Sequence, residues 1–435
     1  MPIIRGDFPN AEQLRIADMK KIEFNDGPAV LRITDTTQQV LSEQDIDTDR
    51  PGSILRDFET LLDFIGERGV KTTSKDYLLP QRGLEKLNSE MTRPVAHRLK
   101  RPQQRSFPLL NGLYLLLRTT GIGIGIGAPP SGTLALDPEL LMMWRHLNPT
   151  EQYFALLEHW LIHASTDTIG ERDRWSDNCR NSLTGVFNRF ARRPDIRIED
   201  SNQRYGIVFG AMDALSIALM DSFGWVSTEF ELPTDGQVQQ LSRMELLPFG
   251  SAMTDILTKT TLSMYLGTSK HVTHRHGVLQ PQFEPYFPEW KRNLEMPEPE
   301  IRSGRYTWRV SVGTPWRRIV IPGELSLDSL ADAILQAFDF DNDHLYHFEY
   351  RDRRGQTVQI VCPQIRDANA WTDEVAIQDL PLAEGASMTF LFDYGDDWKF
   401  TVKLETVAED DPGLKEAKVI QSSGKAPAQY GWDDE

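Results

Sequence analysis

The chain has 435 residues, 40% hydrophobic and 26% charged, which supplies enough apolar material for several cores and leaves little room for long disorder. A net charge of −17 excludes a protein that coats nucleic acid with its whole surface. No apolar run approaches the ~20 residues needed to span a bilayer, the first residues lack the regions of a signal peptide, and Cys179 and Cys362 have no C-x-x-C partner. The expected setting is therefore the cytoplasm, with no membrane, no disulfide framework and no thiolate zinc site.

Along the chain, residues 1–50 show little periodicity and read as a poorly defined arm ending in an acidic turn before Pro51. From Ile54 to Ile65, apolar residues recur at three- and four-residue spacing, which predicts an amphipathic helix stopped by Gly66 and Gly69. A short helix over Leu84 to Met91, a helix over Leu109 to Leu117, and two strands flanking a Pro-rich loop (Ile122 to Gly127, Gly132 to Leu136) complete a winged-helix outline over 51–165. The alternating Gly121, Gly123, Gly125 and Gly127 do not match G-x-G-x-x-G, so close backbone approach is the better reading than phosphate binding. A long helix is expected from Asn148 to His163. Residues 166–275 repeat the order in outline, with a helix from Tyr205 to Met220, a turn and strand from Phe223 to Phe230, a return strand over Leu241 to Leu247 and a helix from Pro248. Five prolines between Gln280 and Glu300 make 276–300 the expected linker.

Beyond Ile301 the pattern predicts strands Tyr306–Val312 and Trp316–Ile321, a helix Leu327–Phe338 capped by Ser326, then strands Leu345–Tyr350, Thr357–Val361, Met388–Asp393 and Phe400–Val407. Between the last two lies Phe392-Asp-Tyr-Gly-Asp-Asp-Trp398, three carboxylates and three aromatics at a hairpin bend or bulged strand. Three stretches, namely Trp316, Arg317 and Arg318 after Pro315, the His344 to Phe348 run, and the Asp-Tyr-Gly-Asp-Asp-Trp block with Gly395 and Trp398, make residues 301–430 resemble the plasmid pRiA4b ORF-3-like family, also described as transposon passenger TnpR-like proteins. The resemblance implies a domain and, weakly, a mobile-DNA context. It implies no recombinase chemistry, because no nucleophilic Ser stands among clustered arginines.

Four constellations bear on chemistry. His344, His347, Asp393, Asp396 and Asp397 would suit a divalent metal if their strands converge, but strand residues three apart face opposite sides and Asp-Gly sequences belong to turns. The better reading there is a structural or partner-binding surface, with Trp398 stacking on Arg317 or Arg318. Arg93, Arg98, Lys100, Arg101 and Arg105 form a basic run without an acid, suited to DNA phosphates and equally to a solvated loop or an intramolecular clasp onto the acidic carboxy-terminal domain; Arg189, Arg192, Arg193 and Arg197 form a second basic stretch. His271, His274 and His276, accompanied by Lys270 and Arg275, read as a solvated polar loop or a phosphate-contacting patch. His159 and His163, spaced i, i+4 without an H-E-x-x-H order, read as a helix surface.

From Ile301 onward 24 acids face 14 Lys/Arg, giving −10 and leaving −7 for the longer first part. Together these features predict an α+β multidomain protein: a mainly helical, winged-helix-like amino-terminal part and a carboxy-terminal, β-grasp-like mixed sheet covered by one helix. The favoured function is a non-enzymatic adaptor that contacts DNA through the basic run and a basic protein partner through the acidic domain. The alternatives are a metal-dependent hydrolase using the His344 to Asp397 set and a structural subunit.

Overall fold

The computed structural model describes residues 34–72, 74, 76–127, 132–170, 195–197, 214–266, 276–297, 301–366 and 368–430. Two hydrophobic cores divide it. One runs from Leu41 through Leu294, the other from Tyr306 through Leu404.

The first body opens with helix α1 (Asp35–Ser42), which belongs with the core rather than to an arm: Thr37 Oγ1 donates to Asp255 Oδ2 at 2.7 Å. Helix α2 (Ile54–Ile65) buries the predicted apolar face and stops at Gly66, whose φ is +59°. Strand β1 (Val70–Thr72), helices α3 (Gln81–Glu90) and α4 (Pro108–Thr119), and strands β2 (Gly123–Ile126) and β3 (Gly132–Leu136) follow; β1, β3 and β2 form a three-stranded antiparallel sheet. Helix α4 is buried over Leu109 to Thr119. The alternating glycines give close approach, as read. A Cβ at Gly125 would stand 2.5 Å from the Tyr77 ring, and the Tyr77 hydroxyl donates to the Gly127 carbonyl.

Helix α5 (Pro138–His146) leads to α6 (Pro149–Glu158), begun by a capping box in which Asn148 and Glu151 exchange hydrogen bonds of 2.9 Å. The predicted long helix ends differently: its last turn, His159–His163, widens to a π-turn. Strand β4 (Asp195–Arg197), helix α7 (Ala214–Ser222), strands β5 (Val226–Glu231) and β6 (Gln240–Leu246) and helix α8 (Pro248–Leu266) make the second group, with strand order β4-β6-β5. Its residues join the same core as the first group, so the two expected modules are one packed body.

The expected linker is part of that body as well. Leu279, Phe283, Phe287, Trp290 and Leu294 are buried, Trp290 stacks on Phe154 at 4.2 Å, and a short helix α9 (Gln280–Phe283) forms. Prolines interrupted the helical period here while the aromatics between them supplied core. Glu151 fastens the segment: beyond its cap, it accepts the amides of Lys291 and Arg292 at 3.1 and 2.8 Å and pairs with the Arg292 guanidinium at 2.9 Å.

The carboxy-terminal domain is a seven-stranded sheet of order β10-β9-β11-β12-β7-β8-β13, built from β7 (Arg305–Ser311), β8 (Trp316–Pro322), β9 (Tyr346–Arg351), β10 (Thr357–Val361), β11 (Ser387–Phe392), β12 (Trp398–Ala408) and β13 (Lys418–Ser423). Every pairing is antiparallel, where a mixed sheet was expected. Helix α10 (Leu327–Phe338) forms over the predicted residues, capped by Ser326 and closed by Asp339 in the left-handed region. Its stripe Leu327, Leu330, Ile334, Leu335 and Phe338 is buried. Strand β13 was not expected, since two adjacent apolar residues, Val419 and Ile420, make no alternation; it is held by pairing to β8.

Candidate metal centre

The residues singled out from the carboxy-terminal sequence are brought near one another, but mostly as parts of a turn. Asp393 and Asp397 both adopt φ of +57°, the Asp397 amide donates to the Asp393 carbonyl at 2.7 Å, and the Gly395 amide donates to Asp393 Oδ1 at 2.8 Å. His344 precedes β9 and stands 3.5 Å from Asp393. His347 lies within β9, bonded to the Tyr394 hydroxyl at 2.8 Å, with burial holding its imidazole below the usual range. Asp396 and Asp397 are exposed, the latter paired with Lys399. Arg317 is buried over Phe338 and donates to the carbonyls of Ala337, Ser423 and Gly424 at 2.8 to 3.2 Å. Arg318 pairs with Glu405 and, like Arg309, lies over Trp316. Trp398 packs on Phe340 instead of on an arginine. The motif of the domain is thus architecture: a hairpin turn and a buried arginine that ties α10 to β13.

The basic run behaves similarly in part. Arg93 pairs with Asp221 and donates to the Thr228 carbonyl at 2.7 Å, and Arg98 pairs with Asp235 at 3.2 Å, so the clasp closes within the first body. Lys100, Arg101 and Arg105 stay exposed. Arg197 faces Asp195 at 3.5 Å; Arg189, Arg192, Arg193, His271, His274 and Cys179 lie outside the described residues, while Cys362 is a buried free thiol.

A different group converges. Helix α6 is apolar on every side, with Tyr153, Phe154, Ala155, Leu156 and Leu157 all buried, so Glu158 at its end and the π-turn beyond it enter the interior. His159 and His163 are 1% and 5% exposed, which overturns the helix-surface reading. Glu158 accepts the amides of Gly277 and Leu279 at 2.6 and 3.0 Å, and thereby fixes the segment next to His276. Among the described residues, Glu158, His163 and His276 form a group whose donor atoms all lie within 4.8 Å of one another. The ring centres of His159, His163 and His276 are 5.1, 5.4 and 5.6 Å apart. Imidazoles bound tetrahedrally through nitrogens about 2.0–2.1 Å from one zinc-class ion would place their ring centres about 5 Å apart, so the spacing fits.

The protonation of these groups fits too. His159 Nδ1 lies 2.8 Å from the Ala155 carbonyl oxygen, which only accepts, so Nδ1 carries the proton and Nε2 the lone pair. That Nε2 is buried and has no hydrogen-bond partner among the described residues. Burial pushes the His159 imidazole well down, and His163 and Arg354 add to it; burial, then Arg354, pushes His276 down to about 4. Both rings are neutral at physiological pH, the form that ligates a metal. Burial raises the Glu158 carboxyl, against its backbone amide donors. A hydrogen-bonded carboxylate beside neutral imidazoles is a donor set for Zn²⁺ or Fe²⁺.

The carboxy-terminal domain reaches this centre through the β9–β10 hairpin. Arg351 pairs with Asp76 at 3.3 Å and Asp167 at 3.5 Å, Arg353 pairs with Asp137, and the Thr357 amide donates to Asp167 Oδ2 at 2.9 Å. Gln356 Nε2 donates to the backbone carbonyl of His163 itself. Gly355 has φ of +81° and faces Arg118, whose Nη2 would lie 2.7 Å from a Cβ there, so the contact needs glycine. An acidic domain therefore docks by a locally basic tip on acids of the first body, opposite in sign to a clasp of the basic run onto that domain.

Against known proteins, the family model of plasmid pRiA4b ORF-3-like proteins matches residues 311–429 and identifies the carboxy-terminal domain as one of them. An uncharacterized protein of Sinorhizobium fredii, y4hQ, is 31% identical over 111 residues, which are 23% of this chain and 53% of that protein. The chain thus spans about half the length of that curated relative. A crystal structure of a protein of unknown function from Methanosarcina mazei Go1 aligns at 21% identity over 29% of this chain and 72% of that one, with a TM-score of 0.26.

Proposed function

We propose that this is a metal-binding protein whose working centre is a divalent, zinc-class ion held by Glu158, His163 and His276, with His159 beside them, at the contact between the two domains. The observation that supports it most is the convergence of the buried Glu158 and His163 and the half-buried His276, from two distant segments, onto one point. Such a cluster is costly to bury without a shared ligand, because polar atoms such as His159 Nε2 give up water and find no hydrogen bond. A π-turn at the donors fits a functional origin, since such turns persist at sites that need them. A bound ion of this class acts as a Lewis acid and can carry a water or another small ligand in an open position.

The test is elemental analysis of untagged full-length protein. About one equivalent of metal per chain is expected, falling to near zero in a His163→Ala/His276→Ala double variant whose circular dichroism is checked; Co²⁺ substitution should give visible ligand-field bands. Metal-free wild type that also fails to take up Zn²⁺, Fe²⁺ or Co²⁺ sinks the reading.

A second reading, contact with DNA, is favoured by one observation: Lys100, Arg101 and Arg105 are exposed and have no ion pair among the described residues. The order helix, strand, helix, helix, strand, strand over residues 54–136 supports a winged-helix-like description of that region. Its third helix, α4, is buried, so the contact would use phosphates and not base edges. Binding whose salt slope falls by about 0.9 per removed contact in a Lys100/Arg101/Arg105→Ala series supports it, and salt-insensitive or absent binding removes it.

A further inference from the structure

The three donors of the cluster are held by different parts of the molecule. Glu158 is tied to the segment next to His276 by the Gly277 and Leu279 amides, so the first body itself places these two. His163 ends the π-turn, and the last carbonyls of a helix have no partner within it. The His163 carbonyl finds its donor in the other domain, at Gln356 Nε2. Four residues on, in the 3₁₀ turn Thr166–Ile169, Asp167 is held by the same hairpin: its carboxylate accepts the Thr357 amide at 2.9 Å and the Thr357 hydroxyl, and its carbonyl accepts Arg351 Nη1 at 3.0 Å. The hairpin that makes these contacts is closed on itself. The Asp352 amide donates to the Gln356 carbonyl at 2.9 Å, the Gln356 amide to Asp352 Oδ1 at 2.8 Å, and the Gly355 amide to the Asp352 carbonyl at 3.0 Å.

A donor whose main chain is clamped from another domain is in place only while that domain is docked. Released from Gln356, Thr357 and Arg351, residues 163–167 regain backbone freedom, and ordering them again has an entropic cost. An ion that draws His163 toward Glu158 and His276 imposes much of the same order, so whichever event comes second finds part of that cost already met. We infer that metal binding and domain docking are linked in this protein: Gln356 is a positioning residue that sets His163 for the ion held by Glu158, His163 and His276, and the bound ion in turn tightens the β9–β10 hairpin on the first body. The inference rests on the metal-centre reading and adds its regulation. Linkage is reciprocal, so the factor by which docking strengthens metal binding equals the factor by which metal strengthens docking. The family domain then has a task, that of tying the occupancy of a centre in the neighbouring body to its own docking through one hairpin. The Arg353–Asp137 pair holds the same hairpin on a different segment of the first body, and so serves as a docking contact that does not touch residues 163–167.

The experiment is hydrogen exchange of full-length wild type, metal-free and loaded with Zn²⁺, read by mass spectrometry. The Thr357 amide reports docking directly, because its acceptor belongs to the other domain. Exchange in peptides covering residues 352–357 should slow about tenfold or more on loading, while peptides from β7 and β12 should not change. In Gln356→Glu, which keeps the length and removes the N–H donor, Co²⁺ affinity measured against a chelator should fall by about tenfold, the ligand-field bands of the saturated protein should shift, and the slowing of exchange should be lost. Arg353→Gln should weaken Co²⁺ binding less and leave the bands in place. Metal binding with hairpin exchange unchanged, or a Gln356→Glu protein with wild-type Co²⁺ affinity and bands, overturns the inference and leaves the metal reading intact. Affinity lost with the bands unmoved overturns the positioning role of Gln356. The exchange measurement needs no variant, so a Gln356→Glu chain that fails to fold does not shield the inference. Wild type that takes up no metal removes the metal reading and the linkage together.

Discussion

Among the described residues, two histidine–carboxylate clusters differ in how they are satisfied. In the carboxy-terminal sheet, His344 and His347 are close in sequence to each other, as are Asp393, Asp396 and Asp397, and their polar atoms meet turn bonds, a tyrosine hydroxyl and a lysine or are exposed at the surface. In the first body, Glu158, His159, His163 and His276 come from segments more than a hundred residues apart; the first three are buried and His276 half-buried, and His159 Nε2 has no hydrogen-bond partner among the described residues. Density along the chain marked the first because turns concentrate Asp and Gly. Unmet polar valence in the interior marks the second, and only the tertiary fold shows it.

The comparison breaks most readily at the aromatic packing that carries His276. Trp290→Ala removes a fully buried ring stacked on Phe154 and should destabilise the protein by about 3–5 kcal/mol in chemical denaturation. A loss below about 1 kcal/mol would mean that 276–297 is a linker after all. Glu158→Ala comes next. It leaves the amides of Gly277 and Leu279 without their acceptor, at about 1–3 kcal/mol for each buried donor, and should also abolish metal uptake. Stability lost with metal uptake retained would reduce Glu158 to an anchor of the loop.

How much of this was legible beforehand follows the same division. Local signals carried far: helix α10 with its Ser326 cap, the start of α6 at Asn148-Pro149, and six of the seven carboxy-terminal strands follow from periodicity and caps. Strand β13 was not legible because its pairing with β8 decides it and not its own pattern. The aromatics Phe283, Phe287 and Trp290 were hidden behind prolines that mimic a linker. The metal centre had one readable trace. Around Phe154 the helix is apolar on all faces, which means a fully buried helix, and polar residues that continue it, Glu158, His159 and His163, had to be buried too. What brings His276 to them is a loop fixed by two amide bonds to Glu158, and no spacing rule encodes that.

Acid should weaken the hold of Glu151 on the 289–292 segment. Burial pushes the Glu151 carboxyl up, but the Arg292 guanidinium and the amides at Asn148, Lys291 and Arg292 outweigh it and hold the group below the usual carboxylate range. The folded value lies below the unfolded one. The contribution is therefore fully present above the unfolded value, about 4.3, and is lost as pH falls through the depressed folded value. Unfolding free energy measured from pH 6 downward, roughly over that window, should decline in the wild type and decline less in Glu151→Gln. Parallel curves would show that Glu151 does not anchor the 289–292 segment through its charge.

The smallest effect is expected where the sequence is densest in acids. Asp396 is exposed at the tip of the β11–β12 turn, and its replacement by Ala should change stability by less than about 0.5 kcal/mol and leave metal content unaltered. Asp393 in the same turn is a sharper control. It adopts φ of +57°, which costs an ordinary L-residue about 1–2 kcal/mol, and its side chain accepts the Gly395 amide, so Asp393→Ala should cost about 1 kcal/mol with metal content again unaltered. Measured side by side, the pair separates a turn from a site. If both carboxylates are ligands, both variants lose metal; if they are turn chemistry, only the one with the left-handed backbone loses stability. A metal loss in Asp396→Ala would reverse the ranking of the two clusters, because no feature of the turn's own geometry requires an acid at that position.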